Sequence, residues 1–342
     1  MTTKHILEEL LDGNLETIQP STFLGPLSDE QKEKFSKVIA NLVVQANDTP
    51  SRKANLVFRG DNRKNLAEKL SSRGSHIDDD KIHSLLFFYG DKAKYFYKYE
   101  DVEAKKLRWL NNIEDTDEAT ISAIFGSIQK LLTKPSLEKF RRAHKKFADF
   151  FQKDNLTQFT SKLVGDDIAR DYYLYFLHTV GPSGLGDNSV LVSTSLSYDE
   201  AYGFSGRTHD GRIIYYVVPE PIERFAVTHL RMQKYELSLI SRNLPTYKYT
   251  ALHPSEQEIA IRGALFSCFI LGVKDLLRNS FVANPHLFTE SNRIDSILRG
   301  LEIDYTDFES GLIDTGYAKG VGTRLDGRFR TILRKRKSAD IA

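Results

Sequence analysis

Apolar residues recur at helical spacing between positions 31 and 45, where Phe35, Val38, Ile39, Leu42 and Val43 fall on one face of a helix. Ser28-Asp29-Glu30 stands before that run as a cap and Thr49-Pro50 closes it, so residues 1–50 are expected to form an N-terminal helical element. The pattern then changes. Asn55-Leu56-Val57-Phe58-Arg59-Gly60-Asp61 has the pattern of an apolar strand that delivers an arginine at its end. Val190-Leu191-Val192-Ser193-Thr194-Ser195-Leu196-Ser197 is a second such strand, and it delivers a cluster of hydroxyls. Further strands are expected at the end of the stretch 253–262 and over 264–273. Helical spacing predicts helices at 65–70, 81–88, 103–110, 119–132, 137–151, 168–180 and 291–301, and a helix or a strand-helix pair at 222–240. Gly181 to Asn188 form a turn-rich connection into the serine strand.

Composition adds bounds. A chain of 342 residues holds one large domain or two ordinary ones, and 40% hydrophobic with 27% charged residues fits a folded protein. No apolar run reaches the roughly 18 residues of a membrane helix. The apolar start Ile6-Leu7…Leu10-Leu11 is interrupted by Glu8-Glu9, so it is no signal-peptide core, and a cytoplasmic protein without membrane association is expected. The single cysteine, Cys268, excludes an intramolecular disulfide, and its apolar neighbours suggest a buried thiol.

The net charge of +2 is unevenly spread. Seven basic residues and one acid lie between Arg324 and Lys337, and a second basic cluster is Lys139-Phe140-Arg141-Arg142-Ala143-His144-Lys145-Lys146. Such runs can track phosphates, and they are equally what a solvated tail and a solvated helix face look like. Aromatics interleaved with lysines over 92–99 offer a stacking surface for nucleic-acid bases, or else an aromatic core stripe or hairpin.

Candidate chemistry centres on His253-Pro254-Ser255-Glu256-Gln257-Glu258-Ile259-Ala260-Ile261-Arg262. In a strand, residues i and i+2 project from one face, so Glu256 and Glu258 are expected to point together while Ile259 and Ile261 face the other way. Paired carboxylates suit chemistry at a glycosidic carbon, where one stabilises an oxocarbenium-like transition state and the other handles a proton. Other chemistries lack their signatures. The glycines of 181–188 do not form G-x-G-x-x-G, no P-loop is completed and no Cys/His metal spacing occurs, so no metal is expected and the nine histidines are taken as structural.

In this order, strand-Arg, Ser-Thr-Ser and Glu-x-Glu, the chain resembles the R-S-E class of mono-ADP-ribosyltransferases, which includes clostridial binary toxins and vertebrate arginine-specific ecto-enzymes. The likeness is densest over 190–265. There Tyr198-Asp199-Glu200-Ala201-Tyr202-Gly203-Phe204 looks like the family's short helix after Ser-Thr-Ser, and Ile213-Ile214-Tyr215-Tyr216-Val217-Val218-Pro219 looks like its next strand. The resemblance implies an α+β fold of two small packed β-sheets with flanking helices. It divides the chain into the N-terminal element 1–50, a transferase domain 51–310 and a basic C-terminal tail 311–342. Arg59 and Ser193 lie 134 positions apart, far more than in compact members, which implies a large, mostly helical insertion at about 72–180. That length makes Arg170 a rival for the arginine position. Arg59 is retained for its strand context and its trailing Gly-Asp.

The resemblance also implies a site. NAD is the ADP-ribose donor, bent in a cleft between the sheets, with no metal. Glu258 supplies negative charge beside the nicotinamide ribose, Ser193 holds Glu258, and Arg59 with Gly60 meets a phosphate or ribose oxygen. Thr194 and Ser195 line the pocket, Phe204 packs on nicotinamide and Arg207 meets a phosphate. Glu256 orients or deprotonates the acceptor, which Tyr247 and Tyr249 help recognise. A glutamate at 256 goes with protein arginine as acceptor, and modification of RNA or DNA bases is the alternative. An NAD glycohydrolase and an inactive transferase fold that binds nucleic acid are the other readings. A toxin or a defence or phage effector is the implied setting, with an antitoxin or inhibitor protein as a further partner.

Overall fold

The computed structural model describes residues 18–19, 29–30, 33, 55–70, 78, 79, 82, 83, 86, 87, 90, 91, 117–180, 191–207, 210–218, 226–247, 257–262, 265 and 269–284. It has mixed helices and a largely antiparallel sheet, an α+β protein, as expected. Its strands are β1 (Ile18–Gln19), β2 (Asn55–Asn62), β3 (Leu191–Ser195), β4 (Gly211–Val218), β5 (Ala226–Thr228), β6 (Glu258–Arg262), β7 (Ile270–Asp275) and β8 (Ser280–Ala283), in the spatial order β1-β8-β7-β4-β2-β3-β6-β5.

β4 is buried along its whole length and reads as an unbroken Ile-Ile-Tyr-Tyr-Val-Val run because both its faces are covered. It pairs with all eight residues of β2 on one side and with β7 on the other. Across β2 the pairing nearly stops, since β2 and β3 share only Phe58↔Ser195. The sheet is therefore continuous where two separate packed sheets were expected. Five strands and three strands meet at this single pair, and the two halves part immediately beyond it.

The N-terminal expectation also changes. Ile18–Gln19 is a strand, parallel to β8, while residues 29, 30 and 33 are helical; the rest of 1–50 lies outside the described residues. So do the aromatic stretch 92–99, the segment 103–110, Cys268, 291–301 and the tail 311–342.

The predicted helices are otherwise found close to their expected bounds: α1 (Arg63–Leu70), α2 (Glu118–Leu132), α6 (Asp167–Val180), α7 (Tyr198–Phe204) and α8 (His229–Ser241). Asp117 caps α2 by accepting from the Thr120 amide at 2.7 Å. The run 137–151 is two helices, α3 (Glu138–Ala143) and α4 (Lys145–Gln152), broken at His144, whose φ of −120° and ψ of 50° are not helical. Arg141 ties α3 back to the end of α2, donating to the Leu132 and Lys134 carbonyls at 2.6 and 2.7 Å. A further helix, α5 (Leu156–Leu163), follows, and Phe159 and Leu163 of it are buried. These helices enclose Phe125, Phe147, Phe151, Phe159 and Tyr173 in edge and tilted ring contacts, with centroids between 4.9 and 6.5 Å apart. Strand β7 opens, by contrast, at Ile270, later than the pattern over 264–273 implied.

A buried ionic cluster holds the beginning of the insertion against the sheet. Arg212 of β4 is fully buried between Asp275 at 3.0 Å and Asp79 at 3.2 Å, and Asp79 also accepts from Arg63 at 2.6 Å. His83 is buried nearby with no hydrogen-bond partner at Nε2, and burial, followed by the Arg212 charge, pushes its imidazole down to about 4. The unfolded chain thus binds a proton at His83 that the folded chain refuses. Stability should fall as pH drops from about 6.5 to about 4, by up to roughly 3 kcal/mol over that window. Urea unfolding of wild type and His83→Gln across this range checks it: the substitution is expected to flatten the slope. Among the described residues no helix is long and apolar enough to cross a membrane.

Candidate active site

The parting of β2 from β3 makes the site. Continued antiparallel pairing would set Arg59 and Gly60 opposite Thr194 and Ser193, but the strands diverge after Phe58↔Ser195. Arg59 fills the gap with its side chain, Nη1 donating to the Ser193 carbonyl at 2.7 Å and Nε to Asp91 Oδ2 at 2.5 Å, with Asp61 3.7 Å from Nη2. Burial alone would lower the guanidinium pKa. Asp91, Asp61 and Glu258 outweigh it and hold the group above its ordinary value, so Arg59 is a fixed cation. Gly60 has its own reason to be glycine, because a Cβ there would lie 1.6 Å from the Ala201 carbonyl oxygen of α7. The close approach lets α7 roof the cleft. Arg170, the rival, is buried against Asp171 on α6 and makes its ion pair there.

Glu258 opens β6 directly opposite Ser195, and Ser193 is its diagonal neighbour on the same face of β3. Helix α6 packs on this face. Tyr175 and His178, three apart, lie on one side of the helix, and each takes one oxygen of the carboxylate. Tyr175 Oη donates to Oε2 at 2.9 Å, and His178 Nε2 lies 3.0 Å from Oε1 and 2.9 Å from Ser193 Oγ. Burial raises the carboxyl pKa, yet the hydrogen bond and electrostatic attraction of His178, then the bonds from Tyr175 and Ser193, together overcome it and hold Glu258 below the usual carboxylate range. A carboxylate has about four acceptor positions, so three donors leave about one for a ligand. Glu258 is thus an ionised, oriented carboxylate at the edge of a cavity.

That cavity, about 220 Å³, is lined by residues of β2, α1, β3, α7 and the first residue of β6. Arg59, Gly60, Ser193, Thr194, Ser195, Phe204 and Glu258 all border it. The hydroxyls are not equivalent: Thr194 Oγ1 donates to the Ile259 carbonyl at 2.6 Å, and Ser195 Oγ accepts from the Ser197 amide at 2.9 Å, so both also serve the backbone. Phe204 is 56% exposed, an apolar ring at the rim available to a planar ligand. Lys69 of α1 reaches in and pairs with Asp61, with Asp91 3.8 Å away. Among the described residues, counting Asp61, Asp91 and Glu258 against Arg59 and Lys69 leaves one excess negative charge, and Glu258 is there the carboxylate not neutralised by a lysine or arginine ion pair.

Several expected roles change. Tyr247, expected to recognise an acceptor, is 1% exposed; its ring packs with Phe140, Phe147, Tyr172 and Phe176, and Tyr172 Oη bonds both its amide and its carbonyl. It is a core residue. Arg207 is exposed with φ of 50° just past α7 and does not line the cavity. Gln257 has φ of 47°, and β6 starts only after it, at Glu258. Glu256 and Tyr249 themselves lie outside the described residues.

Three residues that the sequence reading passed over belong to the site: Asp91, Tyr175 and His178. His178 is no generic structural histidine. The available signal was weak, a tyrosine and a histidine at i, i+3 on the helix that precedes the serine strand. Both contacts of His178 use Nε2, which rules out a serine-nucleophile relay, since that arrangement bonds serine and carboxylate through opposite ring nitrogens. No cluster of three or more potential metal ligands occurs among the described residues. No protein-family model, curated protein or solved structure matches the chain.

Proposed function

We propose that the protein is an NAD-dependent mono-ADP-ribosyltransferase that moves ADP-ribose from NAD to a macromolecule, with protein arginine as the favoured acceptor. The observation that carries this reading is the convergence of Arg59, Ser193 and Glu258 on one cavity with a single excess negative charge. A buried anion held in place before reaction stabilises a cationic transition state without reorganisation. In the reaction, the bond between ribose C1 and the nicotinamide nitrogen breaks and the ring leaves neutral with the electron pair. The acceptor nitrogen bonds to C1 and loses its proton to solvent or a nearby base. Glu258 faces the ribose as positive charge develops, Ser193 keeps the carboxylate aimed, and Phe204 offers a face to the departing ring. The resemblance of the order strand-Arg, Ser-Thr-Ser and Glu-x-Glu to R-S-E transferases supports the same reading. NAD would enter with its nicotinamide end, since the ring is cationic and the cavity is net negative. Its size suits one end of a dinucleotide.

A second reading is an NAD glycohydrolase, in which water takes the acceptor's place. The burial of Tyr247 favours keeping it, because one of the two residues expected to greet a macromolecule is occupied in the core. Incubation with NAD labelled in the adenylate moiety and a cell lysate, followed by protease or nuclease, decides between them. Label that protease removes and nuclease spares is expected. Nuclease-sensitive label would transfer the proposal to RNA or DNA, free ADP-ribose alone would establish the glycohydrolase, and no nicotinamide release would overturn the NAD reading.

A further inference from the structure

Residues from the C-terminal end of the helical insertion reach the reacting region, and His178 does so by touching two members of the site at once. Its Nε2 stands 2.9 Å from Ser193 Oγ and 3.0 Å from Glu258 Oε1, and its side chain is 9% exposed. We propose that His178 is a positioning residue that locks Ser193 to Glu258 by donating from Nε2 between their two oxygens. The inference rests on the transferase reading for its catalytic consequence, while the contact itself stands apart from it.

With the proton on Nε2, the N–H points between the two oxygens as a shared donor, and the Ser193 hydroxyl is left to donate to Glu258. Ser193 cannot then rotate away without losing two partners. Orientation of this kind matters because a carboxylate displaced by a fraction of an ångström loses much of its effect on a nearby developing charge. Among the described residues, Glu258 from β6, Ser193 from β3 and Tyr175 from the same helix face the imidazole.

Two measurements test this. The first is nicotinamide release by wild type, His178→Gln and His178→Ala at one pH. His178→Ala is expected to lose roughly tenfold to a hundredfold in kcat, the range for outer groups that orient a reacting ligand, with KM changed far less. Gln keeps a donor at similar reach, so it should recover much of that loss. A His178→Ala kcat within a few-fold of wild type, or no recovery in His178→Gln, would overturn the proposal. The second measurement needs no activity: a double-mutant cycle of His178→Ala and Ser193→Ala in urea unfolding. Coupling of about twofold or more in the unfolding constant supports the direct contact, whereas its absence sinks the proposal. Should wild type release no nicotinamide, the transferase reading falls by that result alone, and the unfolding cycle still decides on His178.

Discussion

Glu258→Gln is expected to lower the rate of nicotinamide release, and of transfer with it, by at least roughly a hundredfold at neutral pH with little change in KM. The substitution keeps the size of the side chain and removes its charge. Charge is what the transition state needs, because NAD carries its positive charge on the leaving ring and only bond breaking places it on the ribose. An interaction stronger in the transition state than in bound substrate appears in kcat, not in KM. The effect should be large because Glu258 is buried, ionised and already oriented by Tyr175, His178 and Ser193, so little water is present to substitute for it. Stability should suffer less, by about 1–3 kcal/mol, since one of the donors now faces an amide N–H instead of a carboxylate oxygen. Circular dichroism and single-turnover kinetics separate the two effects. A Glu258→Gln enzyme within a few-fold of wild-type kcat would remove Glu258 from this role.

What the sequence carried, and what it did not, divides by range. Residues 55–62 and 191–195 announce themselves because each strand's pattern is local, whereas the strand at 211–218 was expected through the resemblance. The order of Arg59, the Ser193 cluster and Glu258 along the chain was therefore enough to place all three around one cavity. Partners of those residues were hidden because they arrive from far away: Tyr175 is 83 positions from Glu258, His178 is 80, and Asp91 is 32 from Arg59. Nothing in local periodicity marks a histidine on a largely buried helix as facing a carboxylate. Tyr247 misled for a related reason. It follows a proline in a polar loop, and only the tertiary packing of Phe140, Phe147 and Phe176 turns that position inward. Gln257 shows where alternation stops: it is left-handed, and β6 begins only after it.

Asp91→Ala is expected to cost about 3–5 kcal/mol of stability, the usual penalty for removing one partner of a buried ion pair. Asp91 is completely buried, and it holds Arg59 Nε at 2.5 Å with Lys69 3.8 Å away. Both cations border the cavity, so losing Asp91 leaves two positive charges with Asp61 as their nearest remaining acid. The cost therefore comes mainly from an uncompensated guanidinium, and it should shrink when the guanidinium is absent too. Urea unfolding of Asp91→Ala, Arg59→Met and the double variant makes the comparison: the Asp91→Ala penalty should fall by more than half in the Arg59→Met background. An equal penalty in both backgrounds would trace it instead to Lys69 or to the backbone pairing of Asp91 with Leu265. The functional outcome follows from the same geometry. Arg59 spans the parting of β2 and β3 through its bond to the Ser193 carbonyl, and Ser193 in turn aims Glu258. Without Asp91 the guanidinium can swing toward Asp61 or Glu258. The second of these moves would place a positive charge where the reaction needs a negative one, so kcat should fall together with stability, and lowering temperature to restore the fold should not restore the rate.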